Sequence, residues 1–140
     1  MFCFSEKYVE LQGILLYGTD LRVASVILPP PKHGSDLKQE AEKRLRELKA
    51  YNLPEKHSFA IMLACIGRGE GMYKENGVES AIFHKLFPDT PLVGLFGNGE
   101  IGCDFSDNPV AATNDMKRRK SALPKLFHSY TTVFVLVAYD

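Results

Sequence analysis

Residues 129–139 constrain the fold more than any other stretch. Thr131, Val133, Val135 and Val137 alternate with Thr132, Phe134, Leu136 and Ala138. Successive side chains of a strand point to opposite faces, so both faces of this segment are largely apolar. A strand of that kind belongs at the centre of a sheet. Residues 58–66 form a second, near-continuous apolar run (Phe59-Ala60-Ile61-Met62-Leu63-Ala64-Cys65-Ile66) that reads as a strand buried on both faces. Residues 91–96 read as a short buried strand.

The other elements follow from pattern and punctuation. Residues 11–17 and 21–28 are apolar, β-branched segments joined by Gly18-Thr19-Asp20, the signature of an antiparallel hairpin. Pro29-Pro30-Pro31 then stops the second strand. Leu37, Ala41, Leu45 and Leu48 recur at steps of four, four and three, one apolar helical stripe. Ser35 or Asp36 can cap this helix, and Asn52 and Pro54 end it. A second helix is expected from Asn76-Gly77-Val78-Glu79, with Val78, Ile82 and Leu86 on one face and Pro88 as its stop. Residues 104–125 are polar and read as a long loop. The strand-helix-strand unit in the middle favours a parallel neighbour. The fold class is therefore α/β in the α+β sense: a mixed β-sheet with an antiparallel N-terminal hairpin and two covering helices.

Composition removes several function classes. The chain has 140 residues, 45% hydrophobic and 24% charged, which suits one ordinary globular domain. Lys plus Arg and Asp plus Glu both number 17. Nucleic-acid binding relies on excess positive charge, so no nucleic-acid partner is expected. No apolar run approaches the ~20 residues that span a bilayer, and no membrane partner is expected. The first residues lack a signal peptide's basic start and sustained apolar core. Cys3, Cys65 and Cys103 are too few and too scattered for a disulfide framework. A reducing compartment, cytoplasmic or nuclear, is the expected location.

The candidate chemistry sits in two glycine-rich segments. Gly97-Asn98-Gly99-Glu100-Ile101-Gly102 follows a predicted strand and formally matches G-x-G-x-x-G. A dinucleotide site needs that turn to open a helix, yet Cys103-Asp104-Phe105-Ser106-Asp107 does not continue one. Glu100 would either orient a ligand amine or accept backbone N–H bonds. Gly67-Arg68-Gly69-Glu70-Gly71 lacks the Lys-Ser/Thr ending of a phosphate loop. Arg68 would face solvent or bind a carboxylate or phosphate. Cys65 would pack as a small hydrophobe or present a thiol at a pocket mouth. His33, His57, His84 and His128 show no metal spacing. A cysteine hydrolase would need Cys65 or Cys103 activated by His84 or His128 across the fold. Lys117-Arg118-Arg119-Lys120 reads as a solvated loop or an anionic-partner patch. No cofactor, metal site or catalytic residue is assigned.

Four segments carry a family resemblance. They are Leu63-Ala64-Cys65-Ile66-Gly67-Arg68-Gly69, Leu86-Phe87-Pro88, Gly94-Leu95-Phe96 running on to Asp104, and Leu126-Phe127-His128-Ser129-Tyr130-Thr131-Thr132. In this order they resemble the C-terminal half of a FIST domain (F-box and intracellular signal transduction). The likeness implies a domain over residues 10–140 behind an N-terminal tail at 1–9. It implies a non-catalytic module that recruits protein substrates for ubiquitination by an SCF-type ligase and their proteasomal degradation. The alternative it implies is a small-ligand-binding sensory domain in intracellular signalling. Neither an F-box nor the N-terminal FIST half is read in these residues, so the ligase adaptor and cullin would be reached only through an F-box outside them. By motif match, Cys65, Gly67, Arg68 and Gly69 would face a ligand or substrate, with Asn98, Gly99 and Glu100 beside them.

Overall fold

The computed structural model describes residues 13–107 and 125–139. The expected tail at 1–9, Cys3, and the basic run at 117–120 lie outside this range. The fold is a mixed α/β arrangement. Its strands are β1 (Leu21–Leu28), β2 (Ser58–Cys65), β3 (Leu92–Gly97), β4 (Glu100–Ile101), β5 (Phe105–Ser106), β6 (Phe127–His128) and β7 (Thr132–Tyr139). Its helices are α1 (Leu37–Ala50), the single turn α2 (Glu70–Tyr73) and α3 (Val78–Leu86).

The two-sided strand is central. The main sheet runs β3-β2-β7-β1-β5, with β7 in the middle. It is antiparallel to β1 from Leu21↔Tyr139 to Leu28↔Thr132, and to β2 from Ser58↔Ala138 to Ala64↔Thr132. The β2-α3-β3 unit gives the parallel pair, in register from Ala60↔Leu92 to Cys65↔Gly97. A separate two-stranded piece pairs β4 with β6.

One face of the sheet carries the helices. Val26 and Leu28 of β1 and Phe134 and Leu136 of β7 pack with Leu45 and Leu48 of α1 and Phe83 of α3. Phe83 stacks on Phe87 at 4.7 Å and on Phe134 at 5.6 Å between ring centroids, offset contacts that add to plain burial. Asp36 caps α1, its Oδ1 accepting from the N–H groups of Lys38 (3.0 Å) and Gln39 (3.1 Å). Asn52, at φ 55°, turns the chain out of the helix in the left-handed region where Asn is tolerated.

Three expectations change. Residues 13–17 form no strand, and Ile14, Leu15 and Tyr17 are exposed. The hairpin partner of β1 is absent there because β1 already has β7 on one side and β5 on the other. β3 is an edge strand, not a buried one, with Val93 and Leu95 about 60% exposed. Apolar content alone does not separate an edge from an interior strand. Part of the expected loop at 104–125 runs along β1 as β5, because Asp104 Oδ1 accepts from the Ile27 N–H (2.8 Å) and Asp107 Oδ2 from the Val23 N–H (3.0 Å). The carboxylates complete β1's hydrogen bonds where the ladder is short.

Phe134 joins the central strand to the helical layer with no exposure. Phe134→Ala should cost about 3–5 kcal/mol, as for other buried aromatic truncations. Urea unfolding would show it as a lower midpoint at unchanged slope.

Candidate functional site

Three connections meet at the carboxyl ends of the parallel strands β2 and β3: residues 66–69, the turn at 97–102 and residues 126–131. Open α/β sheets tend to bind ligands at such ends. The Ile66 N–H donates to the Gly97 carbonyl (2.8 Å), and the Cys65 N–H to the Thr131 carbonyl (3.0 Å). The Gly102 N–H donates to the Leu126 carbonyl (2.9 Å). Ile101 opposes Phe127 across the β4–β6 pair. Ile66, Phe96, Ile101, Phe127 and Tyr130 leave most or about half of their surface to solvent. Close packing of the backbone sets the glycines. A Cβ on Gly67 would lie 3.0 Å from Tyr130 Cε1, and one on Gly102 would lie 2.7 Å from Val133 Cγ1. Gly99, at φ +97°, takes a conformation that side chains rarely adopt.

Arg68 neither faces solvent nor offers a free donor. It is 5% exposed. Its Nε and Nη2 meet Glu79 Oε1 at 2.7 and 2.6 Å. Its Nη1 donates to the carbonyls of Pro29 (3.1 Å) and Tyr130 (2.8 Å), and its Nη2 also to Tyr73 Oη (2.9 Å). Tyr73 Oη donates in turn to Glu79 Oε1, and Thr132 Oγ1 donates to Glu79 Oε2, both at 2.7 Å. All three guanidinium nitrogens and both carboxylate oxygens are used within the chain, as a buried ion pair requires.

The network also explains Glu79. A helix start at Asn76 would give Glu79 a capping role. In the structure α3 opens after Gly77 at φ 68° with no side-chain cap, and Glu79 turns inward, 6% exposed. The sequence holds one sign of this. Phe83 lies four residues on, so Glu79 shares its inward face. Tyr73, Thr131 and Thr132 carry no comparable signal, since their partners come from other elements.

The other predicted residues divide. Cys65 is buried. Asn98 and Gly99 are exposed at the tip of the turn, Gly67 is exposed, and Gly69 is half-buried, a Cβ on it lying 3.5 Å from the Phe96 ring. Glu100 is 4% exposed, and its Oε2 accepts from the Thr131 N–H (3.2 Å) and Oγ1–H (2.7 Å). Its Oε1 has no hydrogen-bond partner. No helix follows the turn; it contains β4 and runs on to β5, and the dinucleotide reading falls with it. His128 Nε2 lies 3.0 Å from the Gly102 carbonyl, and His84 packs edge-on to Phe83. Among the described residues neither bonds to Cys65. Among those residues, too, no cluster of His, Cys, Asp or Glu could hold a metal ion, and no helix is long and apolar enough to cross a membrane.

Arg68→Met should cost about 3–5 kcal/mol, because it leaves Glu79 buried without its cation. Urea unfolding of the variant checks this; a cost near zero would remove the pair from the framework. The network also has a pH signature. Burial first, then the charge and hydrogen bond of Glu79, raise the Tyr73 hydroxyl well above its ordinary 10.0, with Arg68 opposing. The folded state keeps the proton where the unfolded chain loses it, so this contribution is whole below pH 10.0 and declines as pH rises above it. Stability above that pH should fall more steeply in the parent protein than in Tyr73→Phe. Equal slopes would detach Tyr73 from the network.

Comparison with known proteins gives the family. The family model described as the FIST C domain matches residues 8–103. The chain is 39% identical over 130 residues to F-box only protein 22 of Homo sapiens, covering 89% of this chain and 30% of that protein. The protein of the same name in Pongo abelii is 38% identical over the same length. An F-box/LRR-repeat protein of Arabidopsis thaliana is 26% identical over 133 residues, 91% of this chain and 24% of the relative. The chain thus spans less than a third of the length of these curated relatives. A family match across most of the described fold, including β2, β3 and both glycine-rich turns, places the chain in the FIST C domain family.

Proposed function

We propose that this chain is the substrate-recognition part of an F-box FIST protein acting in an SCF-type ubiquitin ligase. It is non-catalytic itself and works in the cytosol or nucleus. The carrying observation is the 39% identity, over 130 residues, to a protein named for its F-box. An F-box docks on the ligase adaptor, which leaves this domain to present the protein to be degraded.

The surface supports the reading. Ile66, Phe96, Ile101, Phe127 and Tyr130 form an exposed apolar and aromatic patch around the glycine turns. Patches of this kind mark protein-binding sites, where aromatic residues supply much of the binding energy. The firm scaffold beneath, tied by Arg68 and Glu79, keeps the patch in one shape and limits the ordering cost of binding.

The test is affinity purification from cells of a full-length protein bearing this domain, alongside Ile101→Asp/Phe127→Asp. Both forms should retain the adaptor and cullin. The double variant should lose degradation substrates by about tenfold, since each desolvated anchor is worth more than ~1 kcal/mol. Absence of ligase subunits from the parent protein would refute the assignment. Undiminished substrate capture by the variant would move the docking surface elsewhere.

A further inference from the structure

Two asparagines of this chain precede glycine, in Asn76-Gly77 and Asn98-Gly99. All four residues are exposed. An asparagine side chain in that setting is open to attack by the next backbone nitrogen, because glycine has no Cβ to crowd the approach and turns freely about its own bonds. The fold treats the two steps differently.

Around Asn76 the chain is pinned. The Asn76 side-chain amide donates to Glu70 Oε2 (3.3 Å), and the neighbouring Glu75 pairs with Lys38 of α1. The Gly77 carbonyl accepts from the Ala81 N–H (2.8 Å) and from Ser80 Oγ (2.9 Å) as α3 begins. Around Asn98 the anchors stop short. The Gly97 carbonyl holds the Ile66 N–H (2.8 Å) before it, and Glu100 pairs with His128 after it. Between these anchors, among the described residues, no hydrogen bond holds the Asn98 side-chain amide or the Gly99 N–H. A Cβ on Gly99 would lie 3.8 Å from the His128 carbonyl oxygen, so the tip stands against β6, where Phe127 is exposed.

We propose that Asn98 is a site of spontaneous deamidation in the folded protein, and that Asn76 is protected from the same reaction. The Gly99 nitrogen attacks Asn98 Cγ and an N–Cγ bond forms. The proton of that nitrogen passes through solvent to Nδ2, the Cγ–Nδ2 bond breaks, and ammonia leaves a five-membered imide. Water then adds to one imide carbonyl. Breaking the bond from the nitrogen to Cγ gives aspartate, and breaking its bond to the Asn98 backbone carbonyl carbon gives isoaspartate. One water is consumed and one ammonia released, with no oxidation or reduction. The product carries a new negative charge between Phe96 and Ile101, on a chain whose formal net charge is zero. An apolar partner docked there would have to strip water from that carboxylate, which is costly. The modification therefore opposes docking. That consequence alone rests on the substrate-docking reading; the chemistry of the turn does not.

The folded protein and the same chain unfolded in urea are aged side by side in mildly alkaline buffer. Peptide mass spectrometry follows each asparagine, and enzymatic methyl transfer to isoaspartate identifies the product. In the unfolded chain both Asn-Gly steps should convert at similar rates. In the folded protein Asn98 should stay within about threefold of its unfolded rate, and Asn76 should fall about tenfold or more below its own, since held groups react only through local opening. Asn98→Gln, whose longer side chain closes an imide far more slowly, should lose the signal at this position. Protection of Asn98 equal to that of Asn76, or conversion of Asn76 ahead of Asn98, would overturn the site. The consequence is read separately, by affinity purification of a full-length protein carrying Asn98→Asp. Substrate capture should fall about fivefold with the adaptor retained, the cost of desolvating a polar group. Undiminished capture would overturn the consequence, whereas absence of ligase subunits from parent and variant alike would refute the ligase assignment and leave the deamidation result standing.

Discussion

Arg68 and Glu79 join parts of the chain that lie far apart in sequence. Arg68 follows β2, Glu79 begins α3, Tyr73 belongs to α2, Thr132 opens β7, and Pro29 follows β1. One guanidinium therefore fixes how two loops and a helix start sit on the ends of three strands. Its planar shape makes this possible, because its donors spread in a plane to several acceptors at once. A buried pair of this kind adds little stability over an apolar packing of the same volume. Its use here is positional, since it sets where Tyr130 and Thr131 stand, and through Thr131 where Glu100 stands.

Beneath that network the sheet is ordinary in its physics. β7 is the two-sided strand, and each neighbour pairs along most of its length. The helix-facing side is closed by Phe83, Phe87 and Phe134, three aromatic rings in continuous contact. Above β7's opposite face, Gly102 comes so close to Val133 that no side chain fits. That approach brings the β4–β6 piece onto the sheet and sets the apolar patch over the same end as the Arg68 network. The firm interior and the exposed rim are thus parts of one arrangement. The patch can present aromatic surface because the Arg68 and Glu79 charges under it are already paired.

Much of the architecture was legible from periodicity. The α1 stripe, the interior place of β2, the parallel β2–β3 step and the central β7 all follow from how often apolar residues recur, though Phe59, Ile61 and Leu63 leave one face of β2 only partly buried. The failures share a cause. Residues 13–17 are as apolar as a strand and form none, and β3 is as apolar as an interior strand and lies at the edge. Alternation reports which faces are apolar and is silent on which neighbours arrive. At the site, the glycines and Glu100 stood out by their pattern, and Cys65 by its place at a strand end. Arg68 stood out too, but its partners did not, because Glu79, Tyr130 and Pro29 approach it from separate elements.

The order of residues by itself determined a mixed α/β domain with a capped helix, a strand fit only for the middle of a sheet, and two turns that need glycine. These are local matters, decided by backbone conformation and by the burial each segment demands. The tertiary structure alone decided that an arginine on a glycine loop would be a structural tie and that a glutamate at a helix start would be its counterion. It also decided that another glutamate would be buried with one oxygen unmatched. Charged groups in a low-dielectric interior answer to whatever lies within a few ångströms, and only the closed fold sets those distances.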